Sequence, residues 1–347
     1  MSHDVVGALR GLVIVGALVA FPFVFSQHWV INIGIFTLMY AALATAWNLF
    51  AGYSGYISLG HVAFFGMGAY TLANVFTTSG HLDGGHAFMS IGSGYRPFYV
   101  LPLIGLFVAL ISLPIGWVAL RTRTITFAIV TLTLLFVFQN LAFNIRRLTN
   151  GSSGMNLPVP SFSVAHYERP FYFAMLVLLV VGLLFAWYMR RSKVGLMLFA
   201  IREDEDKARG LGVRTTGVKL LAFAISAGIT AMAGGVWAYY LTYIYPQYAV
   251  DPLVMIGSVL PVFLGGSGTL WGPLLGAVIL VPTQQYLAYR LGASELYLVG
   301  YSAVFILILL ALPRGILPSL RYFVERWRFR GSRLDAVGTA SVEQGPA

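Results

Sequence analysis

The chain has 347 residues, of which 58% are hydrophobic and only 10% are charged, and its formal net charge is +10. A soluble domain carries about 25% charged residues, so this composition indicates an integral membrane protein. The sequence contains no cysteine, which excludes disulfides, thiolate metal sites and cysteine nucleophiles. Its basic residues are spread over short loops rather than gathered on one face, which argues against a nucleic-acid partner.

Apolar runs of about 20 residues, the length needed to cross a bilayer, recur along the chain. They predict an all-α, polytopic membrane helix bundle with about ten transmembrane segments and glycine-interrupted helices. The predicted spans are Val5–Phe25, Trp29–Phe50, Tyr56–Thr78, Pro97–Leu120, Thr124–Phe143, Phe171–Met189, Thr216–Tyr245, Asp251–Gly268, Leu270–Tyr289 and Ser294–Leu312. Only a few residues separate the second span from the third and the eighth from the ninth, so either pair is a candidate for a broken or re-entrant helix.

Residues 190–219, here called the charged segment, hold twelve charged side chains, about a third of the total. Charge at this density cannot lie in hydrocarbon, so the segment is expected in water. With ten spans and a cytoplasmic N-terminus, 17 of the 22 basic residues fall on the cytoplasmic side. The positive-inside rule therefore places both termini and the charged segment in the cytoplasm. We divide the chain into a transmembrane domain, 1–320, and a basic, disordered cytoplasmic tail, 321–347.

Glycines are unusually dense between Gly52 and Ala69, where the sequence reads GYSGYISLGHVAFFGMGA. Each glycine weakens a helix relative to alanine, so this segment is expected to unwind and offer backbone polar groups to a cavity. The alternative is close helix packing through small residues. His61 lies well inside a span and either contacts substrate or is hydrogen-bonded within the bundle. A second glycine motif, GTLWGPLLGA at 268–277, indicates a weak internal repeat, unless glycine is simply common in these helices.

The charged segment is amphipathic. Apolar residues recur at helical spacing between its charges: Leu196, Phe199, Ala200, Ala208 and Leu211. Acidic and basic residues between positions 203 and 209 are spaced for ion pairs. Gly195, Gly210 and Gly212 bracket a predicted short helix; the alternative is a solvated loop.

Catalytic motifs are missing from the sequence. There is no P-loop, no H-E-x-x-H and no nucleophile elbow, so we predict no catalytic residue, no metal site and no cofactor. The spans contain no acidic residue at depth, which argues against a carrier driven by protons or sodium. The energy source is therefore expected on another chain.

Three stretches resemble the permease subunits of branched-chain amino-acid ABC importers, a family of the bacterial inner membrane. They are NLFAGYSGYISLGHVAFFGMGAYT (48–71), AIREDEDKARGLGVRTTGVKLLAFAISAGITAMAGGVWA (200–238) and FLGGSGTLWGPLLGA (263–277). The resemblance implies a transport subunit rather than an enzyme. It also implies four partners in the bilayer and beside it: a second homologous permease, two cytoplasmic ATP-binding subunits and a periplasmic substrate-binding protein.

The resemblance also assigns residues. The family's coupling motif is best matched by Glu205, Ala208 and Gly212, with Lys207 where a small residue is usual. The expected ATPase-coupling residues are Arg202, Glu203, Glu205, Ala208 and Gly212. The expected translocation-path residues are Asn48, Gly52, Gly55, Ser58, Gly60, His61, Gly265 and Gly266. Three alternatives stay open: a urea or short-amide ABC importer permease, a self-contained secondary carrier or channel, and a membrane-embedded enzyme.

The predicted orientation can be tested with single cysteines, because the chain has none of its own. A cysteine at Ser192 is expected to react with impermeant thiol reagents only from the cytoplasmic side, and one at Ser153 only from the opposite side. The measurement is labelling of intact cells against inside-out vesicles. Labelling of Ser192→Cys from outside the cell would overturn the orientation.

Overall fold

The computed structural model describes residues 2–25, 27–76, 94–163, 166–291 and 315–320, with a few further positions between 299 and 310. This part of the chain is helical almost throughout. Its α-helices are α1 (Ser2–Val24), α2 (His28–Trp47), α3 (His61–Phe76), α4 (Arg96–Ala119), α5 (Thr124–Asn144), α6 (Arg146–Thr149), α7 (Glu168–Arg191), α8 (Lys193–Glu203), α9 (Glu205–Gly210), α10 (Thr215–Leu241), α11 (Pro246–Ala249), α12 (Pro252–Gly265) and α13 (Gly272–Leu291). A π-helical turn, Asn48–Gly52, continues α2, and a 3-10 turn, Gly151–Ser153, follows α6.

Six helical stretches in the described part are long and apolar enough to cross a membrane. They are His28–Gly52, Arg96–Ala119, Thr124–Asn144, Glu168–Arg191, Thr215–Leu241 and Pro246–Gly265. Helices α1, α3 and α13 occupy three further predicted spans, and the tenth, Ser294–Leu312, lies mainly outside the described residues. The all-α, polytopic membrane bundle is confirmed, whereas the count of ten stays a prediction. The predicted tail, 321–347, also lies outside the described residues.

Two predicted boundaries differ from the structure. The span predicted to begin at Tyr56 becomes helical only at His61, and residues 53–60 lie outside any long helix. The glycine-rich segment is thus unwound over its first half and helical over its second. The span predicted to begin at Phe171 begins at Glu168, and the stretch before it contains α6 and a two-residue strand, β1 (Met155–Asn156), which pairs antiparallel with β2 (Tyr243–Ile244).

Helix α10 lies at the centre of the bundle, and small residues bring it close to α3. A Cβ added to Gly68 would lie less than 3.0 Å from the carbonyl of Ala231, and one added to Gly234 would meet the backbone of Phe65 in the same way. Backbone atoms cannot move aside as a flexible side chain can. These glycines therefore fix the separation of the two helices, which is the close-packing role expected of small residues in membrane bundles.

This contact predicts a difference between two glycines of the same helix. Gly234→Ala is expected to lower the melting temperature of the detergent-solubilised protein, since overpacking at a fixed backbone contact costs about 1–3 kcal/mol. Gly217→Ala is the matched control: its added Cβ meets nothing within 4 Å, and alanine favours a helix. Scanning fluorimetry of both variants checks the prediction. Equal melting temperatures would show that α3 and α10 are not held at this distance.

Candidate functional site

Between α7 and α10 the charged segment folds as two helices, α8 and α9, not as the single short helix predicted from its glycines. Helix α8 is capped by Ser192, whose hydroxyl accepts from the Gly195 N–H, and α9 is capped by Asp204, which accepts from the Lys207 N–H at 3.0 Å. The Asp204 carboxylate satisfies a free N–H of α9, so the chain breaks at this residue. Gly195 lies inside α8 and does not bracket a helix. The predicted neighbouring ion pairs form between Lys207 and Asp204 and between Arg209 and Glu205.

The apolar residues of the charged segment divide into two groups. Leu198, Ile201 and Ala208 are buried against the bundle. Leu196 and Leu211 point away from it, and Leu211 is 86% exposed. The segment is therefore fixed to its own bundle on one side and presents apolar side chains on the other.

Glu205 forms an ion-paired cluster at the start of α9, here called the clasp. Its carboxylate accepts from the Lys219 ammonium at 2.7 Å and from the Tyr56 hydroxyl, and the Lys219 ammonium lies 4.0 Å from the centre of the Tyr56 ring. Lys219 is 1% exposed. Burial by itself raises the pKa of the Glu205 carboxyl, but the hydrogen bonds from Lys219 and Tyr56 outweigh burial and hold the pKa below its ordinary value.

Arg202, at the end of α8, reaches into the bundle. Its guanidinium donates to the Gly52 carbonyl at 2.6 Å. Gly55 has a positive φ of 77°, and a Cβ there would lie 3.1 Å from Arg202 Cγ. Gly268 also has a positive φ of 77°, and its added Cβ would overlap the Arg202 guanidinium. The backbone of both glycine motifs therefore accommodates one arginine side chain.

Asn48 joins the two glycine motifs directly. Its amide nitrogen donates to the Thr269 carbonyl at 2.9 Å, and its amide oxygen accepts from the Gly268 N–H at 2.8 Å. Gly52 lies so close to Asn48 and Gly268 that a Cβ would overlap both. We call Asn48, Gly52, Arg202, Gly268 and Thr269 the glycine junction. It connects the end of α2, the turn between α12 and α13, and the charged segment.

Side chains satisfy much of the non-helical backbone that follows the junction. The Leu59 N–H donates to the Thr131 hydroxyl at 3.0 Å, and the Ser58 carbonyl accepts from the Trp47 indole at 2.7 Å. A Cβ on Gly60 would lie 2.5 Å from the Thr131 carbonyl. Irregular backbone at membrane depth is stable only where protein groups or water satisfy it. These contacts explain how residues 55–60 can remain unwound.

His61 is buried and bonded on both ring nitrogens. The ring lies 2.7 Å from the Ser58 hydroxyl through Nδ1 and 2.7 Å from the Ser226 hydroxyl through Nε2. Ser226 donates its own proton to the Ala46 carbonyl, so it accepts from Nε2–H, and Nδ1 accepts from Ser58. Of the two roles considered for His61, this geometry matches the hydrogen-bonded one, in which the ring fixes Ser58 against α10.

The predicted site residues are brought together only in part. Asn48, Gly52, Gly55 and Arg202 meet at the glycine junction, and Glu205 lies beside it through Tyr56. Other predicted residues lie apart from the junction. In the charged segment, Ala208 is buried, whereas Glu203 and Gly212 are exposed. Gly265 and Gly266 lie at the end of α12, where Gly265 packs on Gly272.

Sequence reasoning assigned no role to Tyr56, Thr269 or Lys219. The sequence did contain a sign that Lys219 is unusual, because this lysine falls three residues inside the predicted span Thr216–Tyr245. A charge at such a position is expected to have a partner.

A family model, described as the permease component of branched-chain amino acid transport systems, matches residues 29–312 of this chain. The chain belongs to this permease family. It is 29% identical to the high-affinity branched-chain amino acid transport system permease protein LivM of Salmonella typhimurium LT2, over 87% of this chain and 73% of that protein. Identity to LivM of Escherichia coli K12 is 28% over the same shares.

A third relative, with a different name, matches over a shorter stretch. The autoinducer 2 import system permease protein LsrC of Salmonella paratyphi B is 36% identical over 31% of this chain and 33% of that protein. No solved structure gave a significant match. The family match covers the glycine junction, the clasp and the whole charged segment, so these features lie within the permease domain.

The clasp predicts an asymmetry between single and double substitutions. Glu205→Gln removes the charged partner of the buried Lys219 ammonium and is expected to destabilise this permease. An uncompensated charge costs about 3–5 kcal/mol at full burial, and it costs less here because Glu205 is partly exposed. Glu205→Gln with Lys219→Met is expected to recover most of that loss. Melting temperatures of wild type, both singles and the double check the cycle. A double variant no more stable than Glu205→Gln would contradict the pairing.

Proposed function

We propose that this permease is the transmembrane subunit of an ABC importer for branched-chain or similar hydrophobic amino acids. In this proposal it forms half of the translocation path with a second, homologous permease. The supporting observation is the similarity to the two LivM proteins over 87% of the chain. The proposed setting is the bacterial inner membrane, with both termini in the cytoplasm, two ATP-binding subunits on that side and a substrate-binding protein in the periplasm.

The charged segment is the proposed docking site for an ATP-binding subunit. Its exposed apolar residues, Leu196 and Leu211, suit a groove on another protein, because large exposed apolar side chains beside charges are typical of interfaces. Glu203 and Gly212 lie on the same exposed segment. Ala208 has a different part in this proposal, since its burial holds α9 against the bundle.

Arg202 and Glu205 are the proposed links from the docking site to the path. When ATP closes the two ATP-binding subunits, a rigid-body displacement of α8 and α9 pulls on Gly52 through Arg202 and on α10 through the Glu205–Lys219 pair. Gly52 is tied to Gly268 through Asn48. The displacement therefore reaches both glycine motifs at once.

The glycine motifs are the proposed walls of the path. Asn48, Gly52, Gly55, Ser58, Gly60 and His61 lie on one motif, and Gly265 and Gly266 lie at the start of the other. Packed against each other, they close the path at this end of the bundle; separated, their backbone polar groups become available to a polar solute.

Coupling predicts a specific defect for Leu211→Asp. This change places a charge in the proposed groove contact without altering any span, so hydrolysis of ATP stimulated by liganded binding protein is expected to fall to the unstimulated rate. Leu211→Met is the matched control, since it keeps an apolar side chain of similar volume. The measurement is the ATPase rate of purified complexes in proteoliposomes. Stimulation in Leu211→Asp equal to that of wild type would refute docking at this residue.

The substrate is tested by uptake into the same proteoliposomes. Leucine, isoleucine and valine are expected to compete with one another and to require the ATP-binding subunits. Uptake of urea or a short amide, without uptake of these amino acids, would show that the protein belongs to an amide importer instead. Uptake with no ATP-binding subunit present would refute the ABC importer assignment and favour a self-contained carrier or channel.

A further inference from the structure

Helix α5 is the least buried of the six long spans in the described part of the chain. It packs on the bundle along one side, where four side chains are buried at helical spacing: Phe127, Thr131, Leu135 and Ala142. The opposite side of α5 is exposed along its length. In a bilayer that side faces lipid, water or another protein, and its chemistry indicates which.

The exposed side of α5 carries a row of polar residues, here called the polar stripe. Its members are exposed and lie seven residues apart: Thr126, Thr133 and Asn140. Seven residues make about two helical turns, so these side chains stand one above another. Of the six long spans described, α5 alone has an exposed serine, threonine, asparagine, glutamine or charged residue outside its first and last turns.

The exposed sides of two other spans are apolar. Helix α4 presents Leu103, Leu106 and Leu110 there, and α7 presents Val177 and Leu184. Surfaces of this kind suit the hydrocarbon of a bilayer. The polar stripe of α5 therefore departs from the lipid-facing pattern of its own bundle.

Hydrogen bonds within α5 satisfy the stripe only in part. The Thr133 hydroxyl donates to the Ile129 carbonyl at 3.0 Å, and the Asn140 amide donates to the Phe136 carbonyl at 2.9 Å. An asparagine amide has two N–H donors and an acceptor oxygen, and this bond uses one donor. Water or a polar solute would satisfy the rest of the Asn140 amide, whereas hydrocarbon would not.

The buried side of α5 contacts the unwound, glycine-rich backbone. The Thr131 hydroxyl accepts from the Leu59 N–H at 3.0 Å, and the Phe127 ring lies 5.6 Å from the Tyr56 ring, centre to centre. Tyr56 in turn donates to Glu205 in the clasp. Helix α5 is therefore connected to the charged segment on one side and presents the polar stripe on the other.

We propose that the polar stripe of α5 lines a water-filled substrate path between this chain and the second, homologous permease. The inference rests on the proposed function and adds α5 to the walls of the path. Two exposed arginines, Arg146 and Arg147, follow the far end of α5, where positive charge attracts the carboxylate of an amino acid. Movement of the charged segment reaches α5 through Tyr56 and changes the width of the path.

Cysteine accessibility in the complete complex tests this assignment. The variant is Thr133→Cys, near the middle of α5, and the matched control is Val177→Cys, an exposed apolar position near the middle of α7. The probe is a charged, water-soluble methanethiosulfonate. Thr133→Cys is expected to react about tenfold faster or more, because thiols react as thiolates, which form in water and not in hydrocarbon. Equal rates would overturn the proposal, since they would place the stripe in lipid.

Dependence on ATP separates a path from a static crevice. The reaction rate at Thr133→Cys is expected to change during ATP hydrolysis, and a constant rate would overturn the proposal. If Thr133→Cys does not assemble, Asn140→Cys decides the question by the same criteria. A complex that does not transport leucine would refute the proposed substrate but not the path, because a rate that depends on ATP needs no leucine.

Photocross-linking tests whether the second permease lies on this side. Benzoylphenylalanine replaces Phe136, which is exposed beside the stripe, or Leu184, which is exposed on α7. On illumination of the complex, the probe at position 136 is expected to form an adduct with the second permease and the probe at position 184 is not. An adduct from position 184 and none from position 136 would overturn the proposal, because it would place the second permease against α7.

Discussion

The Arg202 guanidinium donates to the carbonyl of Gly52, the last residue of the π-helical turn that continues α2. A carbonyl released from helical geometry inside a membrane protein needs a partner, because water is scarce there. At Gly52 the long side chain of Arg202 supplies that partner from the charged segment. The same side chain occupies the space beside Gly55 and Gly268. This interaction thus helps to hold the charged segment against the bundle, and it explains why glycine stands at positions 55 and 268.

The rest of the site follows from this contact. Asn48 ties the two glycine motifs together, and the clasp attaches the start of α9 to α10 through Lys219. Beyond the junction, glycine contacts make α3 with α10 and α12 with α13 into two closely packed pairs.

Sequence reasoning predicted the membrane bundle well, because apolar length is a direct physical requirement for crossing a bilayer. It also identified the charged segment and both glycine motifs. It did not show that Arg202 joins them, since residues 52, 202 and 268 meet only in the tertiary structure. The apolar spacing of the charged segment did not show that Ala208 faces inward and Leu211 outward. The break at Asp204 was missed because its capping role was not considered beside its ion pairs.

The most direct test of this account is the number of ATP molecules hydrolysed per leucine transported when Arg202 is replaced by methionine. Methionine keeps much of the apolar stem but cannot donate to the Gly52 carbonyl. The account predicts complexes that assemble with both ATP-binding subunits and still hydrolyse ATP, with a ratio raised about tenfold or more, as expected for losing a hydrogen bond to a charged group. An Arg202→Met complex with the wild-type ratio would contradict the claim that the charged segment acts on the path through this contact.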